Sequence, residues 1–296
     1  MGFNEKQLVT DKSYNIDGLS YIGAPKSNTA MFITNKAAGL LMALKNVKGC
    51  LVFAETGMDV PNDLIERHVF IFSERPQYEY AKLATKIAKQ QFEKERKKQC
   101  MLVPEGYYVT EDVLIPEDAY IEPGCIIGPS VEIGKNARIL AGSIIKNAVI
   151  GDNFYCNQGA VIGSNGFTMA EDENGVKVRI PTLGRVVIGN NVEIGSNDNI
   201  SCGSAGDTVI CDSVKLDALV SVAHDNYIGK NAEIAAGAIL GGFVKIGENT
   251  FIGLNATIRN RIVIGDNVYV SMGAAVMKAV DDNCKVGGNP ARSIKI

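Results

Sequence analysis

The chain holds two histidines, His68 and His224. A neutral imidazole accepts a proton near pH 7, so a well-placed His can act as general base toward an amine or hydroxyl, an effect worth about 10²–10⁴ in rate. His68 opens an apolar run, His68-Val-Phe-Ile-Phe72, that reads as a short strand. His224 stands in Val222-Ala-His-Asp-Asn-Tyr-Ile-Gly229. Taken alone, a His is more often structural than catalytic, so His224 must be judged by the element that carries it. The seven cysteines (Cys50, Cys100, Cys125, Cys156, Cys202, Cys211 and Cys284) form no Cys-x-x-Cys pair. That spacing indicates neither a zinc site nor a disulfide framework and suits a reduced, cytoplasmic protein.

The element that carries His224 is a six-residue repeat. Ile115, Ile121, Ile127, Ile133, Ile139 and Ile145 keep strict step, and the register then slips by one to Ile150, Cys156 and Ile162. It resumes at Ile188, Ile194 and Ile200, and a four-residue excess follows. From Ile210 to Val276 twelve positions keep step without a break, and Val103 and Val109 extend the series backwards. Gly often follows the apolar residue and Asn often sits third after it, as in Ile228-Gly-Lys-Asn231 and Ile246-Gly-Glu-Asn249. Both residue types tolerate turn and left-handed backbone. The fourth place is small or β-branched, as at Ala232, Ala238, Val244 and Ala256. Each hexad is therefore one short strand and one turn with two inward side chains. A single hexad cannot bury its apolar face, whereas stacked coils bury a continuous column. A period of six is not the 3.6 of an amphipathic helix. The expected fold is a parallel β-helix over residues 101–280. His224 takes the third place of its hexad, an outward corner where it fills no core.

Residues 1–100 lack the hexad. Ala30–Thr34, Cys50–Ala54 and His68–Phe72 read as strands, and 35–45 and 80–98 as helices, which gives a small α/β domain ahead of the β-helix. The charged run Glu93-Lys-Glu-Arg-Lys-Lys98 reads as a solvated helix end. Residues 166–185 interrupt the hexads and are expected to leave one coil and fold over a neighbour. Residues 281–296 form a C-terminal tail. A net charge of −3 gives no field for nucleic acid, and no apolar run is long enough for a membrane span. The first residues, MGFNEKQLVTDKS, have no apolar core of a signal peptide.

The hexads resemble those of hexapeptide-repeat acyltransferases. That resemblance implies a left-handed β-helix of three hexads per coil and a homotrimer with sites between subunits. At eighteen residues per coil, Gly242 of Leu240-Gly-Gly-Phe243 stacks over His224. Its backbone N–H then suits the oxyanion of a thioester tetrahedral intermediate. Several blocks narrow the resemblance to the UDP-3-O-(3-hydroxyacyl)glucosamine N-acyltransferases of lipid A synthesis. These are Arg75-Pro-Gln-Tyr-Glu-Tyr-Ala81, Ile162-Gly-Ser-Asn-Gly-Phe167, Ile180-Pro-Thr-Leu-Gly-Arg-Val-Val-Ile-Gly189, Asp207-Thr-Val-Ile210, Val222-Ala-His224 and Ala235 to Gly242. In that family the His at 224 is the general base and the Gly at 242 the oxyanion donor. Phe32, Asn35, Phe167, Asn226 and Arg261 fall on the side of the nucleotide amino sugar.

The chain also departs from that family's pattern. Ser201-Cys202-Gly203 replaces Asp-Arg-Gly, Arg261 replaces a second His, and no Tyr follows Asn35 in Lys36-Ala-Ala38. Ala275 replaces an acyl-length-limiting Met. Asn226 puts a polar group at an inward hexad place, which requires a buried partner. In place of the family's C-terminal helical extension, Val286-Gly-Gly-Asn-Pro-Ala-Arg292 resembles the tail of coenzyme A-dependent acetyltransferases. Ala275, Asn289 and Arg292 are therefore expected on the side of the donor, acyl-CoA or acyl carrier protein, with no tightly bound cofactor. The rival readings are a non-catalytic nucleotide-sugar-binding scaffold and a metal-dependent hydratase. The hydratase needs three His around a metal, and the repeat has one.

Overall fold

The computed structural model describes residues 2, 3 and 14–293. They divide into two compact units, Met1–Phe92 with Phe167–Leu183, and Glu93–Gly166 with Gly184–Ile296.

The larger unit is a left-handed parallel β-helix. Its strands are mostly two or three residues long and build three sheets of ten, seven and ten strands. Ile127 pairs with Ile145, Val222 with Leu240, Leu240 with Ile258 and Ile258 with Val276. Each of those steps is a coil of three hexads; the steps from Ile133 to Ile150, Ile139 to Cys156 and Ile145 to Ile162 are one residue shorter. Long steps mark the two irregular places. Ile162 pairs with Ile200 across the inserted segment, and Ile200 pairs with Val222 across the four-residue excess. The hexad positions from Ile139 to Val276 are almost wholly inaccessible and form one column, with Ile133 half-buried at its edge and Ala137, Ala232, Ala238 and Ala256 filling the narrower places. Each short strand puts its second residue inward and its first outward, as in Glu233–Ile234 and Lys245–Ile246, because successive side chains of a strand point to opposite faces. The corner Asn residues adopt left-handed backbone, as at Asn231 (φ 58°), Asn249 (φ 55°) and Asn267 (φ 55°), and Asn231 Nδ2 donates to Asn249 Oδ1 at 2.9 Å.

Both ends of the column turn back on themselves. Cys100–Leu102 runs antiparallel to Tyr108–Thr110, so Val103 lies in the reversing turn and is not a coil position. The spacing of six from Val109 is met by a hairpin because no earlier coil exists there to pair with. At the other end Lys285–Gly287 adds a parallel rung, and Arg292–Ser293 reverses against it. Such reversals cover edges that would otherwise offer unpaired N–H and C=O groups.

One inward place carries a carboxyl group. Asp198 is 1% exposed and accepts from the N–H groups of Gly195 and Val220, both at 2.8 Å. Burial pushes its carboxyl up to about 7 against those two hydrogen bonds. A raised folded-state value means that stability is full below about pH 4 and is lost as pH rises toward 7. The thermal midpoint of the wild type is therefore expected to fall relative to Asp198→Asn between pH 4.5 and pH 8. A difference that stays constant over that range contradicts this assignment.

The smaller unit holds a four-stranded parallel sheet in the order Gly18–Leu19, Thr29–Ile33, Leu51–Glu55, Val69–Ser73. A 3₁₀ helix, Asn35–Asn46, and helices Asn62–Ile65 and Pro76–Glu95 connect and follow the strands. Met31, Ile33, Leu44, Val52, Leu64 and Phe70 form its core. The segment that interrupts the hexads contributes a hairpin, Met169–Glu171 with Lys177–Arg179. Its carbonyls at Asp172 and Met169 accept from Arg75 Nη1 (2.6 Å) and Gln77 Nε2 (3.0 Å), so it is a part of the smaller unit. No described helix is long and apolar enough to cross a membrane.

Candidate active site at the His224 corner

The corner between strands Ser221–Val222 and Tyr227–Ile228 carries His224 at its outward place. The ring is nevertheless only 9% exposed. Phe243, from the next coil, meets it edge-on at 5.2 Å between centroids and 90° between planes. Gly242 lies directly against it, since a Cβ there would fall 2.7 Å from both Nε2 and Cε1. The coils stay tied at this point, with the Phe243 N–H donating to His224 O and the Arg261 N–H to Gly242 O. Among the described residues the Gly242 N–H has no acceptor.

The other ring nitrogen is anchored. His224 Nδ1 sits 2.7 Å from Asp225 Oδ2. Adjacent residues of a regular strand face opposite ways, but Asp225 has left-handed backbone (φ 58°), which turns its carboxylate back toward the ring. A carboxylate accepts only, so Nδ1 is the donor, and in the neutral ring the lone pair is then on Nε2, on the side of Gly242.

Asp225 is itself held by the four-residue excess. Residues 201–207 bulge beneath the corner and point their donors at the carboxylate. Ser204 donates to Oδ2 through its N–H (2.9 Å) and its hydroxyl (2.5 Å), and the Gly206 N–H donates to Oδ1 (3.1 Å). The buried Thr208 hydroxyl accepts the Asp225 N–H at 2.9 Å. Burial alone would raise this carboxyl, but the bonds from the His224 ring and from Ser204 outweigh it and hold it below the usual carboxylate value. The loop needs its glycines, because a Cβ on Gly203 or Gly184 would overlap the Gly206 carbonyl.

Asn226 points inward and is 1% exposed. Its amide donates to Ala223 O (2.7 Å) and Gly241 O (3.0 Å), the carbonyls that precede His224 and Gly242, while among the described residues Oδ1 has no partner. It braces the two turns and presents nothing outward. Arg261, one coil beyond Phe243, lays its guanidinium 4.3 Å over that ring. His224, Gly242, Asn226 and Arg261 thus share one corner. Cys202 of the Ser-Cys-Gly departure is 2% exposed and packs in the core, and burial pushes its thiol up to about 12, so it is no nucleophile.

The remaining sequence candidates belong to the smaller unit and to the C-terminal end of the β-helix. Phe32 and Asn35 belong to the smaller unit, where Phe32 packs on Tyr80 at 5.3 Å and the Asn35 N–H donates to Glu55 Oε2 at 2.6 Å. Phe167, 78% exposed, has the Arg179 guanidinium 5.4 Å over its ring in the same unit. Ala275, Asn289 and Arg292 gather at the C-terminal end of the β-helix. The Ala275 N–H donates to Gly288 O, and Ala275 O accepts from the Ala291 N–H. Arg292 lines a groove of about 770 Å³ there together with Met277, Lys278 and Asp281. Among the described residues no group of three or more His, Cys, Asp or Glu is placed to hold a metal ion. Asp225, Ser204 and Phe243 were not picked out by spacing. Their one sequence signal was the four-residue excess, which places a loop one coil before the His.

Two repeat families match the chain, the bacterial transferase hexapeptide (six repeats) at residues 112–147 and the hexapeptide repeat of succinyl-transferase at residues 243–278. The UDP-N-acetylglucosamine acyltransferase from Campylobacter jejuni has the same fold, with a TM-score of 0.57 at 24% identity over 66% of this chain and 75% of that one. UDP-3-O-acylglucosamine N-acyltransferase 2 of Legionella pneumophila is 55% identical over 150 residues, 51% of this chain and 43% of the relative. The UDP-3-O-acylglucosamine N-acyltransferase of Cupriavidus pinatubonensis is 31% identical over 274 residues, 82% of this chain and 72% of the relative. With hexads, coil length and extended identity in agreement, the chain belongs to the UDP-3-O-acylglucosamine N-acyltransferase family of hexapeptide-repeat acyltransferases.

Proposed function

We propose that the chain moves an acyl group from an acyl thioester to the amine of a nucleotide-linked amino sugar, in lipid A or related surface-polysaccharide synthesis. The observation that carries this reading is the His224 ring, fixed at Nδ1 by Asp225 and facing Gly242 with Nε2. The sugar amine attacks the thioester carbonyl while Nε2 takes the amine proton. The Gly242 N–H holds the oxyanion of the tetrahedral intermediate. Collapse restores the carbonyl as an amide, breaks the C–S bond and returns the proton from the imidazolium to the leaving sulfur. Asp225 keeps the tautomer and balances the imidazolium, Asn226 positions both turns, and Arg261 lies where an anionic part of a substrate can reach it. Phe32, Asn35 and Phe167 serve the nucleotide sugar. Ala275, Asn289 and Arg292 serve the donor, acyl-CoA or acyl carrier protein. The active assembly is a cytoplasmic homotrimer.

The test offers the purified chain acetyl-CoA and a 3-hydroxyacyl carrier protein, each with a panel of UDP- and dTDP-linked amino sugars. N-acylated product from at least one pair is expected, and the productive donor identifies the thioester class. Absence of product from every pair overturns the proposal.

Gly242→Ala keeps the backbone N–H but drives a methyl into the imidazole edge. Misplacing a reacting group by about 1 Å costs about 10²-fold, so kcat is expected to fall by that factor with the thermal midpoint near wild type. A variant that keeps half the wild-type kcat would show that the ring's place against Gly242 is unimportant.

A further inference from the structure

We infer that Ser204 is a positioning residue that sets the basicity of His224 through the shared oxygen Asp225 Oδ2. The catalytic meaning of this inference rests on His224 being the base, as proposed above; the inference itself concerns a titration. Three donors converge on that single oxygen: His224 Nδ1 at 2.7 Å, the Ser204 hydroxyl at 2.5 Å and the Ser204 N–H at 2.9 Å. A carboxylate oxygen offers about two lone-pair sites, so the hydroxyl and the imidazole compete for the same electron density. The hydroxyl is the removable member, because the Ser204 N–H stays with any side chain. Ser204 is 6% exposed, so its hydroxyl reaches Asp225 away from bulk solvent.

The sign follows from the competition. A donor on Oδ2 draws charge from the carboxylate and weakens its hold on an imidazolium. Without the hydroxyl the carboxylate holds the imidazolium more strongly, and the His224 midpoint rises. Other charged groups at the corner are left in place. Arg185 and Asp207 pair at the base of the loop, 3.9 Å apart, and Glu132 lies 4.0 Å from the same guanidinium. Arg261 rests on Phe243. The Cys202 thiol, pushed up to about 12, stays neutral throughout the range.

The chain's two histidines allow a direct measurement on the full-length protein without substrate. NMR of ¹³Cε1-labelled histidine follows both rings, with His224→Ala assigning the signals and His68 serving as internal reference. Ser204→Ala is expected to raise the His224 midpoint by about half a pH unit, the share of a carboxylate hydrogen bond that reaches the ring. Ser204→Thr, which keeps the hydroxyl, titrates like wild type. In an Asp225→Asn background, Ser204→Ala produces no further shift, because the oxygen through which it acts has lost its charge. The acid limb of the kcat profile moves with the midpoint. An unchanged midpoint in Ser204→Ala, or an equal shift in the Asp225→Asn background, overturns the inference even if His224 is the base. A shift as expected in a protein that acylates no amino sugar leaves the inference standing and sinks the proposed function instead.

Discussion

Replacing His224 with Ala lowers kcat by about 10²–10⁴, the range that a general base contributes, while nucleotide-sugar binding changes little. Two features of the corner lead to this result. The ring is buried at an outward corner but is no part of the aliphatic column, so its loss leaves the hexads from Ile210 to Val276 in place. It is also the one imidazole among the described coils, so no second ring takes over the proton. Thermal unfolding of the variant checks the first point, and turnover at saturating substrates checks the second. A variant that keeps wild-type kcat with an intact fold removes His224 from the mechanism.

The second large effect is expected at Asp225. Asp225→Asn keeps the size of the side chain but can present an N–H to Nδ1, which reverses the tautomer and turns the lone pair of Nε2 into a proton. Where an Asp→Asn change beside a catalytic His has this consequence, the loss reaches about 10⁴. The new amide also meets the donors of Ser204 and Gly206, so some stability is lost with it. The two contributions separate in a double variant. If Asp225 acts through the ring, His224→Ala with Asp225→Asn is no slower than His224→Ala alone, because residues that work as a unit are strongly non-additive. A double variant slower by the product of the single losses shows instead that Asp225 meets the substrates independently.

The coil was legible in the sequence because its rule is local. An aliphatic residue every six positions fixes both the inward column and the places of the corners, while the coil length that stacks Gly242 over His224 came from the family resemblance and is met in the structure. The same rule misread Val103, where the spacing continued but the stacking partner did not. Asp225 stayed hidden because its role depends on a backbone twist at one corner, which composition does not record. Ser204 stayed hidden because it reaches the His only by way of a bulge in the preceding coil. The spacing marked that bulge as four extra residues without telling where its N–H groups point. Cys202, a departure from the family motif one coil before the active corner, fills the core, which the motif comparison alone does not tell. The inserted hairpin was visible as a break in period, but its partners Arg75 and Gln77 lie more than ninety residues earlier in the chain, beyond any local pattern.

The central claim is that this corner forms an amide on a nucleotide amino sugar. Its most direct test is the mass and linkage of the product. Purified chain is incubated with an isotopically labelled acyl thioester and a UDP-linked amino sugar, and the nucleotide-sugar fraction is analysed by tandem mass spectrometry. A mass gain of one labelled acyl group is expected, located on the sugar nitrogen and stable to mild base, and it disappears with His224→Ala. Label on a sugar oxygen, or equal labelling of nitrogen by the wild type and His224→Ala, would contradict it.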